Sequence, residues 1–165
     1  MRRILAVVSC CFGLSLSGIS AAPCEISPVR LTCEMMETPN CVDVLDPALS
    51  WVNIPVNDCI KGAVQSAYRI RVASSRERLG RPDLWDTGKL KSGESAFIPY
   101  QGQPLGSGTL VWWQVKVWDG NGKASQWSEP ACWHMGILSQ DEWLGKWIGA
   151  PWQGEESYDM MKSKD

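Results

Sequence analysis

The stretch Leu110 to Asp119, LVWWQVKVWD, alternates with a period of two and runs straight into Gly120-Asn121-Gly122. That period does not suit an amphipathic helix, whose apolar positions recur every three or four residues. In an extended strand, Trp113, Val115 and Val117 share one face, while Trp112, Gln114, Lys116 and Trp118 share the other. The Asp119-Gly120-Asn121-Gly122 turn sends the chain back, because Gly and Asn tolerate the positive φ of a tight turn. Glu129 to Met135 is then the returning partner.

The rest of the chain repeats this behaviour. Val29 to Cys33 alternates. Asp46-Pro47 introduces Ala48 to Val52. Ala67 to Ala73 places Tyr68, Ile70 and Val72 on one face, with Arg69 and Arg71 on the other. Leu84 to Gly88 and Ser95 to Tyr100 are shorter runs, and Pro99 marks a strand end or a sheet edge. No amphipathic helix is predicted; Ser75 to Leu79 allows one turn. About seven strands separated by turn signals predict an all-β, two-sheet sandwich.

The chain opens with a different pattern. Met1-Arg2-Arg3 is basic, the run from Ile4 to Ile19 is apolar, and Ser20-Ala21-Ala22 is small. This is the form of a secretory signal peptide, expected to span residues 1–22 and to be removed, leaving no membrane span. The protein is therefore expected to be periplasmic or secreted, with a lipid on Cys24 as the alternative anchor. Removing that leader takes Arg2 and Arg3 away and leaves 14 basic against 18 acidic residues, a net charge of −4. Without a basic stripe, nucleic acid is not an expected partner. Five of the seven cysteines remain: Cys24, Cys33, Cys41, Cys59 and Cys132. An oxidising compartment permits pairing, and the odd number leaves one over. There is no CxxC, and His134 is the only histidine, so neither a metal site nor a cofactor is expected.

After Gly136 the strand pattern ends. Ser139 can cap a short helical turn with Glu142 at its third position. Trp143, Trp147, Ile148 and Trp152 follow, and then a polar tail to Asp165. Those rings have the character of a segment that packs on something: the sandwich, or a further domain. The organisation expected is leader 1–22, sandwich 23–138 and linker 139–165.

Tryptophan fills cores, and it also gives sugars a flat surface to stack on. Trp51 and Trp113 hold core positions in the alternation, each worth on the order of 150–250 Å² of burial. Trp112 and Trp118 face the other way, as an apolar patch suited to a neighbouring domain or a sugar. Trp143, Trp147 and Trp152 join them as candidates. Trp127 is placed to stack with Arg69, Arg71 or Lys116. Asp86, Asp119 and Glu129 each lie near a Trp in the sequence. They read as turn, strand-end and solvated sheet residues, so no catalytic residue is assigned.

The order of these pieces carries a resemblance. Trp51, Tyr68-x-Ile70-x-Val72 and Trp112-Trp113-x-Val115-x-Val117 followed by Ser125-x-Trp127-Ser128 are similar to a fibronectin type III domain of the immunoglobulin-like class. More specifically, Ala48-Leu49-Ser50-Trp51, the stretches Gln65 to Ser75 and Leu84 to Ser92, and Trp112 to Asp119 resemble the N-terminal region of bacterial α-L-rhamnosidases. So does Trp133-x-Met135-Gly136-Ile137-Leu138 through Asp141-x-Trp143-x-x-Lys146-Trp147-Ile148. The resemblance covers residues 27–152. It implies an accessory β-sandwich in an inverting glycoside hydrolase whose later domains carry the catalytic carboxylates. The partners it implies are those downstream domains and rhamnose-containing glycans. A free-standing carbohydrate-binding or adhesion module is the alternative reading.

Overall fold

The computed structural model describes residues 24–57 and 61–146. The expected leader, Cys59, Trp147 and Trp152 lie outside the described residues. Seven strands follow in order: β1 Ile26–Cys33, β2 Ala48–Pro55, β3 Gln65–Ala73, β4 Trp85–Asp86, β5 Ile98–Pro99, β6 Leu110–Asp119 and β7 Ala131–His134. They form two antiparallel sheets, one ordered β1-β2-β5 and the other β4-β3-β6-β7. A 3-10 turn, Arg76–Gly80, stands where one turn is expected after β3. Pro99 ends β5 at the edge of its sheet, where its missing N–H costs no ladder bond.

The long β3–β6 pair sets the core. Tyr68 lies opposite Val117, Ile70 opposite Val115 and Val72 opposite Trp113. These six side chains are buried, as are Leu31, Cys33, Leu49, Trp51 and Ile98 from the smaller sheet. At about 25 cal/mol per Å² of apolar surface, a buried tryptophan contributes roughly 4–6 kcal/mol before the entropy of ordering it. Trp51 meets Tyr68 edge-on at 5.3 Å, and its indole N–H donates to Gln65 Oε1 at 3.1 Å, so its polar atom is satisfied. Trp133, fully buried, meets Tyr100 at 6.1 Å.

The expected plain alternation from Val29 to Cys33 is corrected by a bulge. Val29 pairs with Val52 and Thr32 with Ser50, so Arg30 and Leu31 together oppose Trp51. Arg30 takes a φ of 50° to do so. The extra residue flips the phase: Ile26 and Pro28 point inward before it, Leu31 and Cys33 after it, and Val29 is only half-buried.

The return from β6 also differs from a plain hairpin. The ladder with β7 covers only Leu110–Trp113 against Ala131–His134. Between the turn and β7, two serines hold the chain. The N–H groups of Ser125 and Ser128 donate to the Val117 and Val115 carbonyls, each at 2.8 Å. Their hydroxyls accept from the Val117 and Val115 N–H groups, each at 3.1 Å. A serine side chain thus stands in for the carbonyl that a regular strand would present.

Asp119 locks the turn. Its carboxylate is fully buried and accepts from the N–H groups of Glu25 at 3.0 Å, Asn121 at 3.0 Å and Lys123 at 2.9 Å. One turn residue therefore closes the hairpin and pins the start of β1. Burial pushes this carboxyl up, but the backbone donors outweigh it and hold the group below the usual carboxylate range.

Candidate functional site

The outer face of the four-stranded sheet presents the aromatic residues singled out by the sequence. Alternation places Trp112, Lys116 and Trp118 of β6 there, beside Arg69 and Arg71 of β3. Trp112 and Trp118 are half-buried rather than open. The Arg76 guanidinium lies over the Trp112 ring at 5.9 Å, and Lys89 Nζ lies over Trp118 at 4.5 Å. Arg71 at 4.6 Å and Lys116 at 4.9 Å both lie over Trp127, two of the three partners expected for it. The third, Arg69, forms a two-pronged pair with Asp86 instead, both contacts at 2.7 Å, and Arg71 Nε reaches the same carboxylate at 3.3 Å. Arg69 is the main cause of the lowered Asp86 carboxyl, followed by its opposing burial. A ring face with a cation seated on it is not free for a pyranose to stack on.

The carboxylates here do not make acid–base machinery. A general acid needs a proton near neutral pH, which requires a raised pKa. Asp86 and Asp119 are both lowered, and Asp119 has no solvent access. Glu129 is exposed at the approach to β7. It borders a groove of about 460 Å³ between the bulge of β1 and the start of β7, with Arg30, Glu37 and Cys132 on the same walls. Among the described residues, no group of three or more His, Cys, Asp or Glu is arranged to hold a metal ion. Cys24, Cys33, Cys41 and Cys132 are all free thiols, and burial pushes the Cys33 thiol up to about 12.

The remaining candidate, Trp143, lies elsewhere. The chain leaves β7 through Met135 and Gly136, which are stitched to the β1–β2 loop. Val42 N–H donates to His134 O at 3.0 Å, and Gly136 N–H to Val42 O at 2.7 Å. Ser139 then caps a 3-10 turn, Gln140–Glu142, with its hydroxyl accepting from Asp141 N–H at 3.4 Å. Trp143 follows the turn with 60% of its surface exposed. A groove of about 490 Å³ lies beneath it, lined by Cys41, Asp43 and Gly136 through Gln140. Sequence reading missed the two cations over Trp112 and Trp118, because Arg76 comes from the 3-10 turn and Lys89 from a loop, neither with a register to read. It also missed the half of this exit region that the β1–β2 loop supplies.

Fold and face together define an immunoglobulin-like β-sandwich whose aromatic sheet face is closed by its own cations. The chain belongs to the family described as Rha78A-like, N-terminal immunoglobulin domain, whose model matches residues 28–139. It is 43% identical over 129 residues to an α-L-rhamnosidase of Streptomyces avermitilis, covering 76% of this chain and 12% of that enzyme. It is 45% identical over 111 residues to an α-L-rhamnosidase of Formosa agariphila, covering 66% of this chain and 12% of that enzyme. Among solved structures it matches the Streptomyces avermitilis α-L-rhamnosidase complexed with L-rhamnose, at a TM-score of 0.71 and 40% identity over 76% of this chain and 12% of that one. It also matches the Dictyoglumus thermophilum α-L-rhamnosidase, at a TM-score of 0.69 and 34% identity over 74% of this chain and 14% of that one.

Proposed function

We propose that this chain is the non-catalytic N-terminal accessory domain of an exported α-L-rhamnosidase, serving to stabilise and position the domains that follow. In the parent enzyme those later domains carry the machinery that hydrolyses terminal α-L-rhamnosides. The observation that carries this reading is the pairing of a close family match with a short span: the matched stretch takes up only 12% of the Streptomyces relative. The ionised, structurally engaged Asp86 and Asp119 add support, since neither is free to serve as an acid. Export is supported by the basic, apolar and small-residue order of the first 22 residues.

The test is made on residues 23–165. A cooperative melt, no hydrolysis of an aryl α-L-rhamnoside and no saturable change in tryptophan fluorescence with L-rhamnose or rhamnosylated oligosaccharides are the expected results. A saturable response, lost in Trp112→Ala or Trp118→Ala, would overturn the reading and make this a sugar-binding domain.

A further inference from the structure

Thirteen large apolar side chains are exposed among the described residues, and they are unevenly placed. Seven belong to two short segments: Met35, Met36, Val44 and Leu45 in the β1–β2 loop, and Ile137, Trp143 and Leu144 after β7. These segments are one structural unit, tied by the Val42–His134 and Gly136–Val42 hydrogen bonds and by His134 N–H donating to Pro39 O at 2.9 Å. Leu45, Trp143 and Leu144 are 69%, 60% and 90% exposed, far beyond what the sandwich needs for its own closure.

Around this apolar surface acidic residues predominate, with Lys146 and Arg30, which shares a groove wall with Glu37, as the exceptions. Residues 34–46 contain no Lys or Arg, and residues 137–146 contain only Lys146. Glu37, Asp43, Asp46, Asp141 and Glu142 are exposed there. The outer face of the four-stranded sheet has the opposite character, with Arg69, Arg71, Arg76, Lys89 and Lys116 on its rings and carboxylates.

We infer that this exit end, and not the tryptophan face of the sheet, is the seat of the next domain of the parent enzyme. The inference rests on the accessory-domain reading above and names the surface through which that domain works. The occupant is the domain that follows this one in the parent enzyme, presenting an apolar surface bordered by Lys and Arg. Three observations select it. The family is an N-terminal domain and the match spans 12% of the Streptomyces relative, so in that enzyme a much larger polypeptide accompanies the matched stretch. Ile137, Trp143 and Leu144 of this surface lie on the segment by which the chain leaves β7, so whatever follows is held close to it at high effective concentration. The acidic border selects a basic counterpart and sets its orientation.

The test replaces the matching N-terminal stretch of the Streptomyces avermitilis enzyme with residues 24–146 of this chain. Hydroxyl-radical labelling, read residue by residue by mass spectrometry, is compared between that fusion and the isolated chain. Met35, Leu45, Ile137 and Trp143 are expected to label several-fold less in the fusion, while Val52 and Ile54 on β2 and Phe97 just before β5 label equally in both. Leu45→Asp with Trp143→Asp is expected to return the exit positions to the labelling of the isolated chain. The isolated chain titrated with the Streptomyces enzyme lacking its matching stretch is labelled beside it. No protection at the exit end in either format, or protection of Val52, Ile54 and Phe97 instead, overturns the proposal. An accessory role that fails does so separately, through a saturable response of the isolated chain to L-rhamnose.

Discussion

The two aromatic regions of this protein solve the same problem in opposite ways. On the four-stranded sheet, Trp112, Trp118 and Trp127 are covered by cations from their own domain. At the chain exit, Trp143 has no such cover among the described residues and stands with exposed Ile137 and Leu144. The difference teaches that an outward-facing tryptophan is not by itself an invitation to a ligand. An arginine or lysine stem can cover the ring while its charged head stays in water. What marks an interface is apolar surface that the domain leaves uncovered.

The comparison can be broken or sharpened by mutation. The largest effect is expected inside the sandwich, beneath both regions. Trp113→Ala on the isolated chain should cost about 3–5 kcal/mol by urea denaturation, because the fully buried ring leaves a cavity. A loss near that of an outer-face tryptophan would mean that the two faces of β6 are less distinct than they look.

Asp119→Ala comes next, at about 2–4 kcal/mol, since it orphans three backbone N–H groups that now donate to a buried carboxylate. The same group sets a pH dependence. Its folded pKa is below its unfolded one, so its stabilisation is fully present above about pH 4 and fades as pH falls through the folded value. Comparing urea midpoints at pH 7 and pH 3 should show a decline in the wild type that is smaller in Asp119→Asn.

Smaller effects are expected on the outer face. Arg71→Ala removes the guanidinium from Trp127 and one contact to Asp86, for about 1 kcal/mol by the same measurement. Lys89→Ala should cost less, on the order of 0.5 kcal/mol, and should raise quenching of tryptophan fluorescence by acrylamide as Trp118 opens. Trp143→Ser should change the stability of the isolated chain by no more than about 0.5 kcal/mol, because the ring is exposed. A larger cost would mean that Trp143 closes the sandwich itself, and it would erase the contrast between the two regions.

Much of the fold was legible in the residues. Period-two alternation placed Tyr68, Ile70, Val72, Trp113, Val115 and Val117 inward, and the Asp119 to Gly122 turn fixed the reversal. The Arg71 and Lys116 contacts with Trp127 were legible too, because neighbouring strands put those side chains on one face. The bulge at Arg30 was not, because two residues facing one is a property of the strand pair rather than of either strand. The serine-held return through Ser125 and Ser128 was hidden for the same reason: a side chain replaced the carbonyl that the pattern assumes.

The sequence by itself determined the class of fold and the inner face, since a period of two and a run of turn residues act over neighbouring positions. It also determined which tryptophans of β6 point outward. Only the tertiary structure decided which of those rings are free. That depends on where residues outside the strands, such as Arg76 and Lys89, come to rest, and on the joining of the β1–β2 loop to the segment after β7 through Val42, His134 and Gly136. Contacts between segments roughly ninety residues apart have no local period to announce them, and they follow only once the two sheets have closed on their core.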